Sequence, residues 1–186
     1  MKHNGELSLA RKVRVSIVSA ALILTGCAPG HPTMDTVSYV NIERMMGDWY
    51  VIANIPTFIE TGAHNAIERY ERGPENEIRT TFSFRDGGFD GPLKQYTPTG
   101  YIEDTETNAR WAMQFVWPFR ADYRIVYLDD DYRHVVVARQ ARDYAWIMSR
   151  APRIEPATYE RLVRVLVELG YERNAIVEVP QRWPAG

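Results

Sequence analysis

One cysteine, four histidines and no hydrophobic run long enough to cross a bilayer are found in the 186 residues of this chain. A lone thiol excludes an internal disulfide framework. The histidines, His3, His31, His64 and His134, share no metal-ligand spacing, and no serine or cysteine nucleophile stands paired with a base. Asp129-Asp130-Asp131 lacks the spaced ligands and glycine of a calcium loop and reads as a polar turn. No catalytic residue, metal or cofactor is therefore expected. Basic charge is not in excess either, with 22 Lys and Arg against 24 Asp and Glu. That balance argues against a nucleic-acid partner and against electrostatic adhesion to anionic lipid. No internal repeat or low-complexity tract stands out.

The apolar stretch that is present, Val15 to Leu24, follows Lys2, Arg11, Lys12 and Arg14. It is too short to span a membrane but suits the core of a signal peptide over residues 1–26. Leu24-Thr25-Gly26-Cys27 resembles the lipobox of bacterial lipoproteins. The resemblance implies that Cys27 becomes the first mature residue and carries acyl chains, so that the membrane is reached through them. A buried structural thiol is the alternative. Ala28 in place of aspartate implies sorting to the bacterial outer membrane, lipid-anchored and facing the periplasm. Removing the leader leaves 160 residues and takes the net charge from −2 to −5, since the leader holds four basic residues and one acid. That length suffices for one domain with a sizeable core. Pro29, Gly30 and Pro32 mark residues 27–40 as a lipidated tether, with the folded domain over 41–186.

From Trp49 to Ser149 short strand-like runs alternate with turn residues. The expected strands are Trp49–Ile55, Asn65–Glu71, Glu77–Phe84, Tyr96–Asp104, Arg110–Val116, Tyr123–Leu128, Tyr132–Ala138 and Tyr144–Ser149. Pro98 suggests a bulge or an edge in the fourth. Connections this short permit only antiparallel neighbours. An even number of alternating strands puts the start of the first and the end of the last at one end. Pairing them closes the sheet and removes its edges. Trp49 and Arg150 then meet at the bottom, a guanidinium over an indole. After Arg150 the period changes: Glu155-Pro156 opens a helix, Tyr159, Leu162, Val163, Leu166 and Leu169 share a face, Gly170 ends it, and Ala175 to Val179 reads as a short strand or extended segment before Pro180. The expected fold is an all-β, eight-stranded antiparallel up-and-down barrel with one C-terminal α-helix packed outside.

Gly47-Asp48-Trp49-Tyr50, the run Tyr123 to Asp129 with Tyr132-Arg133-His134, and Arg150 occur in that order on this pattern. Together they resemble the lipocalins, the nearest look being to the bacterial lipocalins and their apolipoprotein-D-like relatives. The likeness covers Asn41 to about Val179. It assigns Gly47, Trp49 and Arg150 to barrel closure. Glu68 and Arg69 make the second strand more charged than the pattern leads one to expect, and Trp111 is bulkier.

Such a barrel encloses either packed side chains or one small ligand. With Trp49 inward, alternation sends Val51, Ala53 and Ile55 inward too, and Trp146 and Met148 on the last strand. The expected ligand-binding wall is Tyr70, Ile78, Phe82, Trp111, Met113, Phe115, Tyr123, Ile125, Val136 and Trp146. Aromatics and methionine suit an acyl chain, and the resemblance implies a small hydrophobic ligand, a fatty acid or lysophospholipid. The mouth is expected opposite Trp49, with Phe58, Ile59 and Gly62 on a lid and Lys94, Arg120, Arg139 and Arg142 in reach of an anionic headgroup. Two other classes stay open: an enzyme acting on a hydrophobic substrate, and a structural lipoprotein with a filled barrel. So does pairing into a homodimer.

Overall fold

Antiparallel strands joined by short turns run from Gly47 to Ser149, and the last pairs with the first. The computed structural model describes residues 31–183. The signal peptide, Cys27 and the start of the tether lie outside them. The strands are β1 Gly47–Ile55, β2 Ala63–Arg72, β3 Glu77–Asp86, β4 Leu93–Tyr96, β5 Thr99–Ile102, β6 Arg110–Val116, β7 Phe119–Leu128, β8 His134–Ala138 and β9 Ala145–Ser149. Both β4 and β5 pair with β3, so together they fill one of eight barrel positions. Pro98 lies in the break between them; its ring nitrogen has no proton to give the ladder. Closure is direct, with Tyr50 opposite Ser149 and Ile55 opposite Ala145.

The base is sealed by groups from both ends of the ribbon. Helix α1, Ile42–Met45, starts where the Asn41 side chain accepts from the Arg44 N–H. Trp49 is fully buried behind it and donates from Nε1 to the Met45 carbonyl at 2.9 Å. The Arg150 guanidinium lies 3.8 Å from the Trp49 ring centroid. It also donates to the carbonyls of Asp48, Arg44 and Met46 at 2.7–2.8 Å, so it both covers the indole and ties down the turn before β1. Gly47 has φ +90°, and a Cβ there would stand 3.4 Å from Arg150 Nη1. Glycine meets both demands of that turn.

The outside of the barrel is covered by α2, Pro156–Glu168, with Pro156 in its first turn and Gly170 at φ +94° beyond its end. Leu162, Val163 and Leu166 are buried against Ile52, Ala53, Val136, Ala138, Ala145 and Ile147. Each such side chain removed from water stabilises the fold by about 2 kcal/mol.

Two placements differ from those expected from the sequence. A bulge between Val51 and Ala53 sends Ile52 and Ala53 to the outer layer, so Ala53 and Ile55 face the helix side and Asn54 turns inward. An extra residue shifts the phase of everything after it. The residues 32–40 are not a free tether. Met34 and Val40 are buried, Val37 N–H donates to Ile125 O at 3.0 Å, and Val40 N–H donates to Thr107 O at 2.7 Å. The expected short strand in the tail forms as β10, Val177–Glu178, beside Ala53 and Asn54. Val179 N–H donates to Ile52 O, Asn65 N–H to Pro180 O, and Gln181 Nε2 to the carbonyls of Val51 and Ala66. This tail is laced between β1 and the start of β2, above the point where those two strands pair with each other.

Candidate functional site

The lower part of the barrel is filled and the upper part is hollow. Trp111 stands edge-on to Tyr70, with ring centroids 5.5 Å apart, and is stacked on Tyr123 at 5.7 Å. Ile78 and Ile125 complete this floor, both fully buried. Above it is a cavity of about 600 Å³. That lies within the range of about 300–1,000 Å³ typical of small-molecule sites. The filled-barrel alternative is thereby overturned.

Of the wall residues expected from the sequence, Phe82, Met113, Phe115, Tyr123 and Trp146 border the cavity. Tyr70, Ile78, Trp111 and Ile125 form the core beneath it rather than its surface. Val136 is misplaced: it faces outward and packs in the helix-side layer, while Val135 and Val137 point in. The error follows from β8 being buried on both faces, where hydrophobicity no longer marks the inner side. Phe58 and Ile59 overhang the opening, and Phe58, Val116, Trp117 and Phe119 are exposed around it.

Three acids complete the lining, and one of them, Asp122, is paired with Arg124 and accepts from the Gln140 N–H. Glu68 and Tyr70 are two apart on β2 and both turn inward. Glu68 stands level with Trp49 on β1 and Phe82 on β3, at the inner end of the cavity. It is 7% exposed, and burial pushes its carboxyl up to about 8, with the nearby Glu60 charge acting in the same direction. The hydroxyls of Tyr70 and Tyr123 are hydrogen-bonded to each other beside it. Glu60 descends from the lid and accepts from Asn54 Nδ2 at 2.8 Å and from Trp146 Nε1 at 3.2 Å. Burial raises its pKa against those hydrogen bonds. The charge of Glu68 was visible in the sequence, and its phase with Tyr70 was the signal that it points in. Glu60 lies in an aperiodic loop and gave none.

The four rim cations separate. Arg120 and Arg139 border the cavity. Arg120 lies 3.7 Å from the Tyr101 ring centroid, and Arg139 is 3.3 Å from Asp143 with its Nε buried and unpartnered. Lys94 is 3.9 Å from Asp86 and does not line the cavity. Arg142 is a staple instead, donating to the carbonyls of Leu169, Gln140 and Pro32. Among the described residues, no three of His, Cys, Asp and Glu are grouped to hold a metal ion.

A sequence profile described as a lipocalin-like domain matches residues 40–181, most of the chain. The chain belongs to the lipocalin-like family. This lipocalin is 29% identical over 180 residues to the outer membrane lipoprotein Blc of Citrobacter freundii, covering 90% of this chain and 95% of that one. It is 30% identical to temperature-induced lipocalin-1 of Arabidopsis thaliana over 157 residues, 80% of this chain and 83% of the relative. Among solved structures it superposes on lobster apocrustacyanin A1 with a TM-score of 0.61 at 13% identity, over 77% of this chain and 81% of that one. Insecticyanin from the tobacco hornworm Manduca sexta gives 0.58 at 17% identity, over 80% and 84%. At such identities the structures share the fold. In this lipocalin the fold supplies an aromatic-walled chamber, open at one end, with cations at the rim and an acid at the far end.

Proposed function

We propose that the protein binds a single-chain amphipath, a fatty acid or lysophospholipid, tail inward, with its anionic headgroup at Arg120 and Arg139. The observation that carries this reading is the 600 Å³ cavity, whose walls are Phe82, Met113, Phe115, Tyr123 and Trp146 and whose mouth holds the two arginines. An acyl chain replaces the water that would otherwise wet those side chains, and that transfer drives binding. The buried, unpartnered Nε of Arg139 is a donor awaiting an acceptor, and an anionic oxygen is the strongest one available. Exposed Phe58, Trp117 and Phe119 offer the tail its first apolar contact. Among the described residues, no serine, cysteine or histidine borders the cavity, which favours holding a ligand over transforming it.

Anchoring belongs to the same proposal. Relatives that the chain matches over 90% of its length are named outer membrane lipoproteins, and the leader ending at Cys27 is of the kind that would take a lipid. The protein is then a membrane-tethered carrier or store.

The test is displacement of a fluorescent fatty acid from delipidated protein by palmitate and by lysophosphatidic acid, with mass spectrometry of lipid that co-purifies. Both compounds displace the probe, and replacing Arg139 with glutamine weakens them about tenfold, the loss of one charged hydrogen bond. Failure of both compounds, with no lipid co-purifying, overturns the reading.

A further inference from the structure

The far end of the cavity is the wrong surface for a plain hydrocarbon tip. Glu68 is more than nine-tenths buried, borders the cavity, and lies at the depth of Trp49, which plugs the base. The Tyr70 hydroxyl beside it hydrogen-bonds both the Glu68 carboxyl and the Tyr123 hydroxyl, one contact for a carboxyl that can make several. Of the other acids of the lining, Glu60 already accepts from Asn54 and Trp146, and Asp122 is paired with Arg124. Glu68 therefore faces the cavity with hydrogen-bonding capacity that its single contact with Tyr70 leaves unused. A methyl terminus pressed against it strips the carboxyl of water and returns no hydrogen bond. A hydroxyl at the same place returns one, since it donates to a carboxylate and accepts from a carboxylic acid.

We propose that Glu68 and the Tyr123 hydroxyl form a hydroxyl subsite, and that the cavity prefers acyl chains carrying a hydroxyl near the end that enters first. This rests on the tail-inward reading above and narrows it to hydroxylated chains. An anionic group is excluded from the subsite, with Glu60 and Glu68 both acidic and the cations Arg120 and Arg139 at the mouth. An uncharged donor is left as the group that suits both protonation states of Glu68.

The experiment is competition for a bound dansyl fatty acid by two matched pairs, lauric against ω-hydroxylauric acid and palmitic against ω-hydroxypalmitic acid. In the unaltered protein at least one ω-hydroxy acid displaces the dye about tenfold better than its plain partner. Glu68→Leu abolishes that preference and improves binding of the plain acids, while Glu68→Gln keeps part of it, because an amide still pairs with a hydroxyl. Equal displacement within both pairs by the unaltered protein overturns the subsite and leaves the acyl-chain reading standing. A preference that survives Glu68→Leu in a variant whose circular dichroism is unchanged also overturns it. No displacement by any of the four acids overturns both readings.

Discussion

Glu68 couples the stability of the protein to pH. Its carboxyl titrates near 4.5 when unfolded and near 8 inside the barrel. Between those values the native state holds a proton that the unfolded chain has released, so stability is fullest below about pH 4.5 and drains away as pH rises through 8. The span is on the order of 5 kcal/mol. Urea unfolding across this window shows the decline in the natural protein, and Glu68→Gln, neutral at every pH, flattens most of it. An equal slope in the two proteins contradicts the burial argument. At this scale the sequence was informative about identity and not about state. The alternation with Tyr70 turns Glu68 inward, but its protonation depends on β1 and β3 closing over it, which no local pattern records. The same holds for Arg142, a cation in a loop like Arg139, whose capture by three carbonyls depends on α2 and Pro32.

Among the elements, α2 and β1 show where periodicity suffices and where it fails. The stripe of Tyr159, Leu162, Val163, Leu166 and Leu169 specifies both the helix and its buried face, because a helix on a sheet has one side to hide. Replacing the fully buried Leu166 with alanine is expected to cost 2–5 kcal/mol. It leaves displacement of a fluorescent fatty acid unchanged, since the contact lies outside the barrel wall. Denaturant midpoints and dye titrations on one variant separate the two effects. A large loss of binding would mean that the helix shapes the cavity. In β1, by contrast, the bulge after Val51 reverses the phase of Ala53 and Ile55, and nothing in Val-Ile-Ala-Asn-Ile signals it. Val136 fails for a related reason: a strand of consecutive apolar residues, covered within and without, carries no mark of direction.

For the whole molecule, closure followed from counting short antiparallel runs, and the indole–guanidinium seal from parity at the two ends. What the count omitted are the segments outside it. Residues 32–40 bury Met34 and Val40 although prolines and glycine suggested a loose leash, because they are held by distant Thr107, Ile125 and Gln140 rather than by neighbours in sequence. The laced tail was legible as a short strand or extended segment before Pro180, and its partners on β1 and β2 were not.

That tail makes the cylinder wall a joint held without covalent links. The carbonyls of Val51 and Ile52, and the amide of Asn65, find their counterparts in residues 179–181. Deleting residues 179–186 leaves the ladder from β2 through β9 to β1 intact and unzips a slit on the flank. A captive molecule then escapes sideways, and stopped-flow dissociation of the dye quickens several-fold while circular dichroism holds. That outcome would make residues 179–181 the bolt on a side hatch, setting how long a cargo stays without touching it; an unchanged rate would leave them a brace of the wall alone.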